Sequence, residues 1–381
     1  MRVLHTADWH LGRVFAGFDL LETQRHALDG IVAIAAAARP DAILVAGDLY
    51  DRAVPPEDAV LLLDDTFLRL SRIAPVLAIA GNHDSGRRID FGRRLMREAG
   101  VHLAGTSRSG VEGVEIADRH GAVRFHLLPY ATPEEARFET GRDDVRTHDD
   151  ATRARIAGLE MAPGRNVLVA HLFAQGGQET QDSERDISVG GASSVATDAF
   201  GPFCYTALGH LHRPHALADG RVRYAGSLCR YSFAEAEHRK TVSLVEIDAA
   251  GQVTVEEVEI PQRFGMRTLR GGFDALLEAA AADPDRDRDL VRIALTDAIV
   301  VPGARERLRD LYPNLLEFTV ERAGDPLAPT GPDTAAAVRT RSPHEFVARF
   351  LDDRYPGVAD DAIRSLARGC MERAVAGEEP A

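Results

Sequence analysis

A chain of 381 residues is too long for one ordinary hydrophobic core, so two domains, or one large domain with an appendage, are expected. With 45% hydrophobic and 27% charged residues it reads as a soluble globular protein, and no run approaches the ~18 consecutive apolar residues of a membrane span. Taken alone, the net charge of −14 argues against nucleic-acid binding, except where bound cations reverse the local field.

The opening MRVLHTADWHLG is not a signal-peptide pattern, because a His and an Asp interrupt its short apolar run. Cys204, Cys229 and Cys370 are widely separated and form no CxxC, which argues against a disulfide framework or a zinc ribbon. Both features point to the cytoplasm. Lys240 is the only lysine; the other basic residues are all Arg, a compositional bias that carries no function by itself.

In chain order, the first half alternates. Val3–Thr6 is a short strand that ends at Asp8, and a helical pattern follows around Leu20–Ala37. The strand Ala42–Ala46 ends in Gly47-Asp48, and a helix from about Pro56 to Ile73 comes next. The strand Val76–Ala80 ends in Gly81, and a third helix is expected near Arg87–Glu98. Strands alternating with helices of this length imply βαβ units and a mainly parallel sheet. From residue 101 the pattern becomes strand-rich. Val123–Leu128, Asn166–Ala170, Tyr205–Leu208, Arg221–Ala225, Val242–Ile247 and Val253–Ile260 read as strands of a second sheet packed on the first. The expected class is α/β, a four-layered α/β/β/α sandwich. Residues 1–261 would form it. Residues 262–323 read strand, helix, strand, helix, strand, a small α/β module. A Pro/Gly-rich linker, 324–341, precedes two helices over 342–375 that would form a hairpin.

Chemistry-bearing side chains gather at the strand ends. They are Asp8 and His10, then Asp48, then Asn82, His83 and Asp84, then His171, then His210 and His212. In parallel α/β sheets the carboxyl ends of strands line the ligand crevice. Each residue also has a bland reading. Gly-Asp is commonly a turn, Asn-His-Asp can cap a helix, and a lone His is commonly structural. All five bland readings would have to hold together. One tally instead fits two octahedral ions, with Asp8, His10, Asp48 and His212 on one, and Asp48, Asn82, His171 and His210 on the other. Asp48 serves both, as a short anion that offsets the repulsion of two dications. Mixed O and N ligands without sulfur suit Mn2+, with Mg2+, Fe2+ or Zn2+ as alternatives. Two ions roughly 3.5–4 Å apart are the usual device for in-line hydrolysis of phosphate esters.

These motifs resemble the calcineurin-like metallophosphoesterase superfamily: DxH (Asp8, His10), GDxxD (Gly47, Asp48, Asp51), GNHD (Gly81 to Asp84), a lone His171, and GHxH (Gly209, His210, His212). The resemblance implies two bound metals, with His83 assisting catalysis and Asp84 orienting it. HTADWHLGR, AGDLYDRAVPP, IAGNHDSGRR and YAGSLCRYSFAEAEHRK look closest to the SbcD family, the nuclease subunits of bacterial SbcC–SbcD complexes. That implies a Mn2+-dependent exonuclease of double-stranded DNA ends and endonuclease of single strands and hairpins, acting in DNA repair and recombination. Its 262–323 module would cap the DNA. The nuclease would act as a homodimer within a heterotetramer, gated by a coiled-coil ATPase.

Arg87, Arg88, Arg93, Arg94 and Arg97 follow the GNHD loop and could meet a phosphate backbone. They could equally form a solvated helix face paired with Asp90 and Glu98. In the tail, Ser342-Pro343-His344-Glu345 is a capping box. Phe346, Phe350 and Leu351, then Ile363, Leu366 and Met371, fall at helical spacing and would dock on the ATPase. Two readings compete with the nuclease: a free-standing phosphodiesterase acting on a small nucleotide, and a structural subunit with a dead site.

Overall fold

The computed structural model describes residues 1–106, 112–180, 184, 194–297, 301–321 and 365. The linker 324–341 and, apart from Ser365, the expected tail helices with Phe346, Phe350, Leu351, Ile363, Leu366 and Met371 lie outside the described residues.

Four parallel strands open the first sheet: β1 (Arg2–Thr6), β2 (Ala42–Val45), β3 (Val76–Ile79) and β4 (Val101–Ala104). Every residue of β2 and β3 is buried, which is what a strand covered on both faces requires. Helices α1 (Leu21–Ala38) and α2 (Glu57–Ser71) cover one face, where Leu28, Ile31, Leu62 and Phe67 meet Leu4, Ile43, Val45 and Val76. The alternate residues Val3, Leu44, Leu77 and Ile79 point the other way. They meet Val123, Phe125, Val167 and Val169 of the second sheet, so the two sheets share one core.

That second sheet contains β5 (Glu112–Asp118), β6 (Gly121–Leu128), β7 (Arg165–His171), β8 (Tyr205–Gly209), β9 (His215–Leu217) and β10 (Val222–Tyr224), in the spatial order β9-β10-β8-β7-β6-β5. Its outer face packs Leu168, Ala170 and Leu208 on Phe200 and Phe203.

The structure corrects the expected assignment of two strands. β11 (Thr241–Ile247) and β12 (Val253–Glu259) return to the first sheet, where β11 lies antiparallel to β1. Alternating hydrophobicity announces a strand but not its neighbour. β11 carries apolar residues for both faces, Val242 in the helix-side core and Val245 in the inter-sheet core, as a place beside β1 demands.

The helix expected near Arg87–Glu98 is two short pieces, α3 (Gly86–Ile89) and α4 (Arg93–Glu98). The break has one local and one distant cause. Gly92 takes a left-handed φ of 73°, and the Asp90 carboxylate leaves the helix to accept from the backbone N–H groups of Gly105 and Thr106. Two further helices, α5 (Pro133–Thr140) and α6 (His148–Ala157), add to the expected elements, and each opens on a capping box that the sequence displays, Thr132 with Glu135 and Thr147 with Asp150.

Residues 266–320 form three parallel strands, β13 (Met266–Gly271), β14 (Leu290–Leu295) and β15 (Leu315–Val320), with α7 (Phe273–Ala282) and α8 (Ala304–Leu311). They enclose a core of their own around Phe273, Ile293, Leu308 and Tyr312. Met266 and Leu290 also join the helix-side core of the first sheet, and the Arg292 guanidinium lies over the Phe233 ring at 5.3 Å. Among the described residues, no helix is long and apolar enough to cross a membrane.

Candidate metal centre

Five strands deliver the site. Asp8 and His10 follow β1, Asp48 follows β2, and Asn82, His83 and Asp84 follow β3; His171 closes β7, while His210 and His212 follow β8. All five ends meet where the two sheets face each other. Asp8, His10, Asp48, His171, His210 and His212 are all buried, and Asp8 is fully enclosed at 0% exposure.

The backbone there is bent to purpose. Asp8, His10, Asp48 and His210 all hold positive φ, at 52°, 45°, 49° and 111°. Such conformations cost about 1–3 kcal/mol each for non-glycine residues and persist only where the surroundings impose them. The imposing bonds are visible: Asp8 N–H donates to the Gly47 carbonyl at 3.0 Å, and His10 N–H to the Asp48 carbonyl at 2.9 Å. His210 N–H donates to the Asp8 carboxylate at 2.9 Å, and His83 N–H to Asp48 Oδ1 at 2.9 Å. Two glycines make the approach feasible. A Cβ on Gly47 would stand 2.4 Å from His171 Nδ1, and one on Gly81 would stand 2.1 Å from Asp48 Oδ1.

The ring nitrogens and carboxylates converge. His10 Nε2 lies 3.1 Å from His212 Nε2 and 3.5 Å from Asp48 Oδ2. His171 Nε2 lies 2.9 Å from Asn82 Oδ1 and 3.5 Å from Asp48 Oδ2, while its Nδ1–H donates to the Ala46 carbonyl at 2.9 Å. Donor atoms fall within 4.8 Å of one another in three groups: Asp8 with His10 and His212; His10 with Asp48 and His83; Asp8 with Asp48 and His171. His210 is in none of these groups, although its ring packs 5.5 Å from that of His171.

Electrostatics argue that this cluster suits a cation. Burial, and then the Asp48 charge, push the Asp8 carboxyl well above the usual carboxylate range. Burial pushes His10, His171 and His210 down, towards the neutral imidazoles that bind metal. A protein-only cluster is thus short of positive charge, and a dication would supply it and favour the ionised carboxylates. The O and N donors without sulfur fit a hard or borderline divalent ion.

The expected orientation of His83 by Asp84 needs correcting. The Asp84 carboxylate accepts from the backbone N–H groups of Leu49 at 3.0 Å, Tyr50 at 2.9 Å and Gly81 at 2.9 Å. It staples the loop after β2 to the loop after β3. His83 is instead held by the Asp51 carbonyl, which accepts from Nδ1 at 2.8 Å. Burial, then the nearby Asp48 charge, raise the Asp84 pKa to about 7. Asp84→Ala strands three backbone donors, so chemical denaturation of the metal-free protein should show a loss of ~1–3 kcal/mol or more. Asp84→Asn keeps an acceptor oxygen and should lose less.

Arg87, Arg88 and Arg94 are exposed on α3 and α4, and Arg93 is half-buried 3.8 Å from Asp90. Sequence reasoning missed the residues that hold the ligands from behind. Gln24 Nε2 donates to the His10 carbonyl at 2.7 Å, and Tyr231 Oη donates to the Trp9 carbonyl. Glu235 Oε1 sits 3.1 Å from His212 Nδ1, and Lys240 bonds Glu235. Burial works to raise the Glu235 pKa, but Lys240 and His212 overcome it and bring it below the usual range. The signal for Lys240 was in the sequence: one lysine in a chain that otherwise uses Arg.

Residues 1–154 match the family model of the calcineurin-like phosphoesterases, so this part of the chain is a phosphoester hydrolase domain of a divalent-metal family. Residues 264–355 match an SbcD-type model described as the Type 5 capsule protein repressor C-terminal domain. In chain order, then, a calcineurin-like phosphoesterase domain is followed by a match to an SbcD-type C-terminal domain. Among solved structures it is similar to TT1561 of Thermus thermophilus, at 16% identity and a TM-score of 0.40 over 68% of this chain and 99% of that one. A dimetal phosphatase from Danio rerio matches at 12% and 0.36, over 69% and 99%. GAP50, the anchor in the inner membrane complex of Plasmodium, matches at 9% and 0.34, over 69% and 89%.

Proposed function

We propose that the protein is a DNA nuclease, the hydrolytic subunit of an SbcC–SbcD-type complex that acts in DNA repair and recombination. The observation that carries the reading is the buried Asp and His cluster around Asp48, joined to an SbcD-type C-terminal match. Asp8, His10, Asp48 and His212 would hold one divalent ion, and Asp48, Asn82, His171 and His210 the other, with Mn2+ the best fit. Bound ions supply Lewis-acid charge and make water nucleophilic near neutral pH. The chain's own residues do the rest. Asp48 and Asp8 provide the fixed negative charge. His83, with Nδ1 tied to the Asp51 carbonyl, Nε2 4.0 Å from Asp48 Oδ2 and a side chain 13% exposed, would hold at Nε2 the proton that the leaving oxygen takes. Arg87, Arg88, Arg93 and Arg94, on the two short helices that follow the GNHD loop, would contact the phosphate backbone.

The small module of β13 to β15 would cap the DNA, with domain limits near 261 and 323. The exposed apolar side chains of Leu61 and Leu68 on α2, and of Phe91 and Leu95, would contribute to contacts with a second copy of the chain. With Mn2+ present, the protein should degrade linear duplex DNA and nick hairpins and single strands in preference to a small phosphodiester, most strongly with its ATPase partner and ATP. Preference for the small phosphodiester would favour a free-standing phosphodiesterase. No hydrolysis of any of these would favour a structural subunit. Truncation at Arg341, which removes the 342–375 helices, should abolish co-purification with an SbcC-like ATPase while Mn2+-dependent cleavage of single-stranded DNA persists. Full co-purification of the truncated chain would exclude the tail as the tether.

A further inference from the structure

Glu235 and Lys240 stand outside the proposed chemistry, yet both are buried, at 0% and 1% exposure. An enclosed ion pair adds little net stability, because desolvation of the two charges offsets their attraction. Its geometry indicates another use. One carboxylate oxygen of Glu235 faces His212 Nδ1 at 3.1 Å, and the other takes the Lys240 ammonium. Lys240 also donates to Ser227 Oγ at 2.8 Å and to the His212 carbonyl at 3.0 Å. The same ammonium therefore steadies both the main chain of His212 and the acceptor of its ring.

An ionised carboxylate only accepts, so the His212 hydrogen sits on Nδ1. That leaves Nε2 bare, and Nε2 is the atom 3.1 Å from His10 Nε2. Without Glu235 the ring is free to carry its hydrogen on either nitrogen, and one of those two choices presents N–H to the cluster. Groups that orient a ligating imidazole in this way typically change metal affinity 10–100-fold.

We propose that Glu235 and Lys240 are a positioning pair that locks His212 as an Nε2 donor and thereby sets the affinity of the divalent-metal centre. The proposal rests on reading the cluster as a metal centre. The test uses the full-length, metal-free protein: wild type, Glu235→Gln, and Glu235→Gln combined with Lys240→Met, which removes both buried charges at similar volume. Mn2+ is titrated calorimetrically, and ¹⁵N-histidine spectra of the metal-free proteins read the His212 tautomer, with His212→Gln for assignment. The double variant should stay folded, bind Mn2+ about 10–100-fold more weakly, and show His212 as a tautomer mixture. Unchanged affinity with an unchanged tautomer would overturn the proposal while leaving the metal centre standing. A wild type that binds no divalent ion would overturn both. Should the double variant fail to fold, Glu235→Gln, which keeps the side-chain volume and leaves Lys240 its bonds to Ser227 Oγ and the His212 carbonyl, decides on the same two readouts.

Discussion

Asp48→Ala should abolish hydrolysis of every phosphoester substrate. Asp48 Oδ2 lies 3.5 Å from both His10 Nε2 and His171 Nε2, so its carboxylate stands between the two halves of the cluster. Losing it removes a donor from each proposed ion and the charge that offsets their repulsion. Metal ions supply several kcal/mol of transition-state stabilisation, and forfeiting about 4 kcal/mol is about a thousandfold in rate. Two measurements check this. Turnover of DNA with Mn2+ should fall below detection, and Mn2+ should no longer raise the melting temperature. A wild type at a hundredfold excess over Kd gains about 2.7 kcal/mol of stability from a bound ion, and the variant should gain far less. The fold itself should survive, because the lost side chain accepts its hydrogen bond from the His83 N–H, in a partly solvated loop. Two intact high-affinity sites in Asp48→Ala would exclude the shared role.

His83→Gln should separate chemistry from binding. The His83 ring is anchored at Nδ1 by the Asp51 carbonyl and reaches Asp48 Oδ2 only at 4.0 Å through Nε2. Its distance grouping with His10 and Asp48 also allows it to be a ligand. As a proton donor it is worth ~10²–10⁴ in rate, and Gln cannot replace it. Calorimetric Mn2+ affinity should stay within a fewfold of wild type while turnover falls by that range. A matching collapse of Mn2+ affinity would make His83 a ligand instead. The loss should be smaller on substrates with a good leaving group, which need no proton.

The N-terminal strands and the residues at their ends were legible because two periodicities and one rule suffice. Four-residue apolar runs, AILV and VLAI, announce buried parallel strands, and such strands open their ligand crevice at the carboxyl end. That places Asp8, Asp48, Asn82, His171 and His212 before any coordinate is known. The strand–helix alternation of residues 266–320 was legible for the same reason. The break at Asp90–Gly92 was not, because Asp90 abandons its helix for the amides of Gly105 and Thr106, fifteen and sixteen residues on.

Other features depended on approach between distant segments, which no local pattern encodes. β11 and β12 read as strands in isolation, but only packing against β1 and both cores put them in the first sheet. GNHD suggests that Asp84 serves the histidine beside it; the fold brings the Tyr50 and Leu49 amides, 34 and 35 residues away, within reach, and those donors claim the carboxylate. The sequence alone determined which candidate residues stand at the strand ends, because residue type and strand-end position are local properties. The tertiary structure alone decided which atom of each faces inwards, since the Asp51 carbonyl, the Ala46 carbonyl and the Glu235–Lys240 pair hold His83, His171 and His212 across separations of 32, 125 and 23 residues.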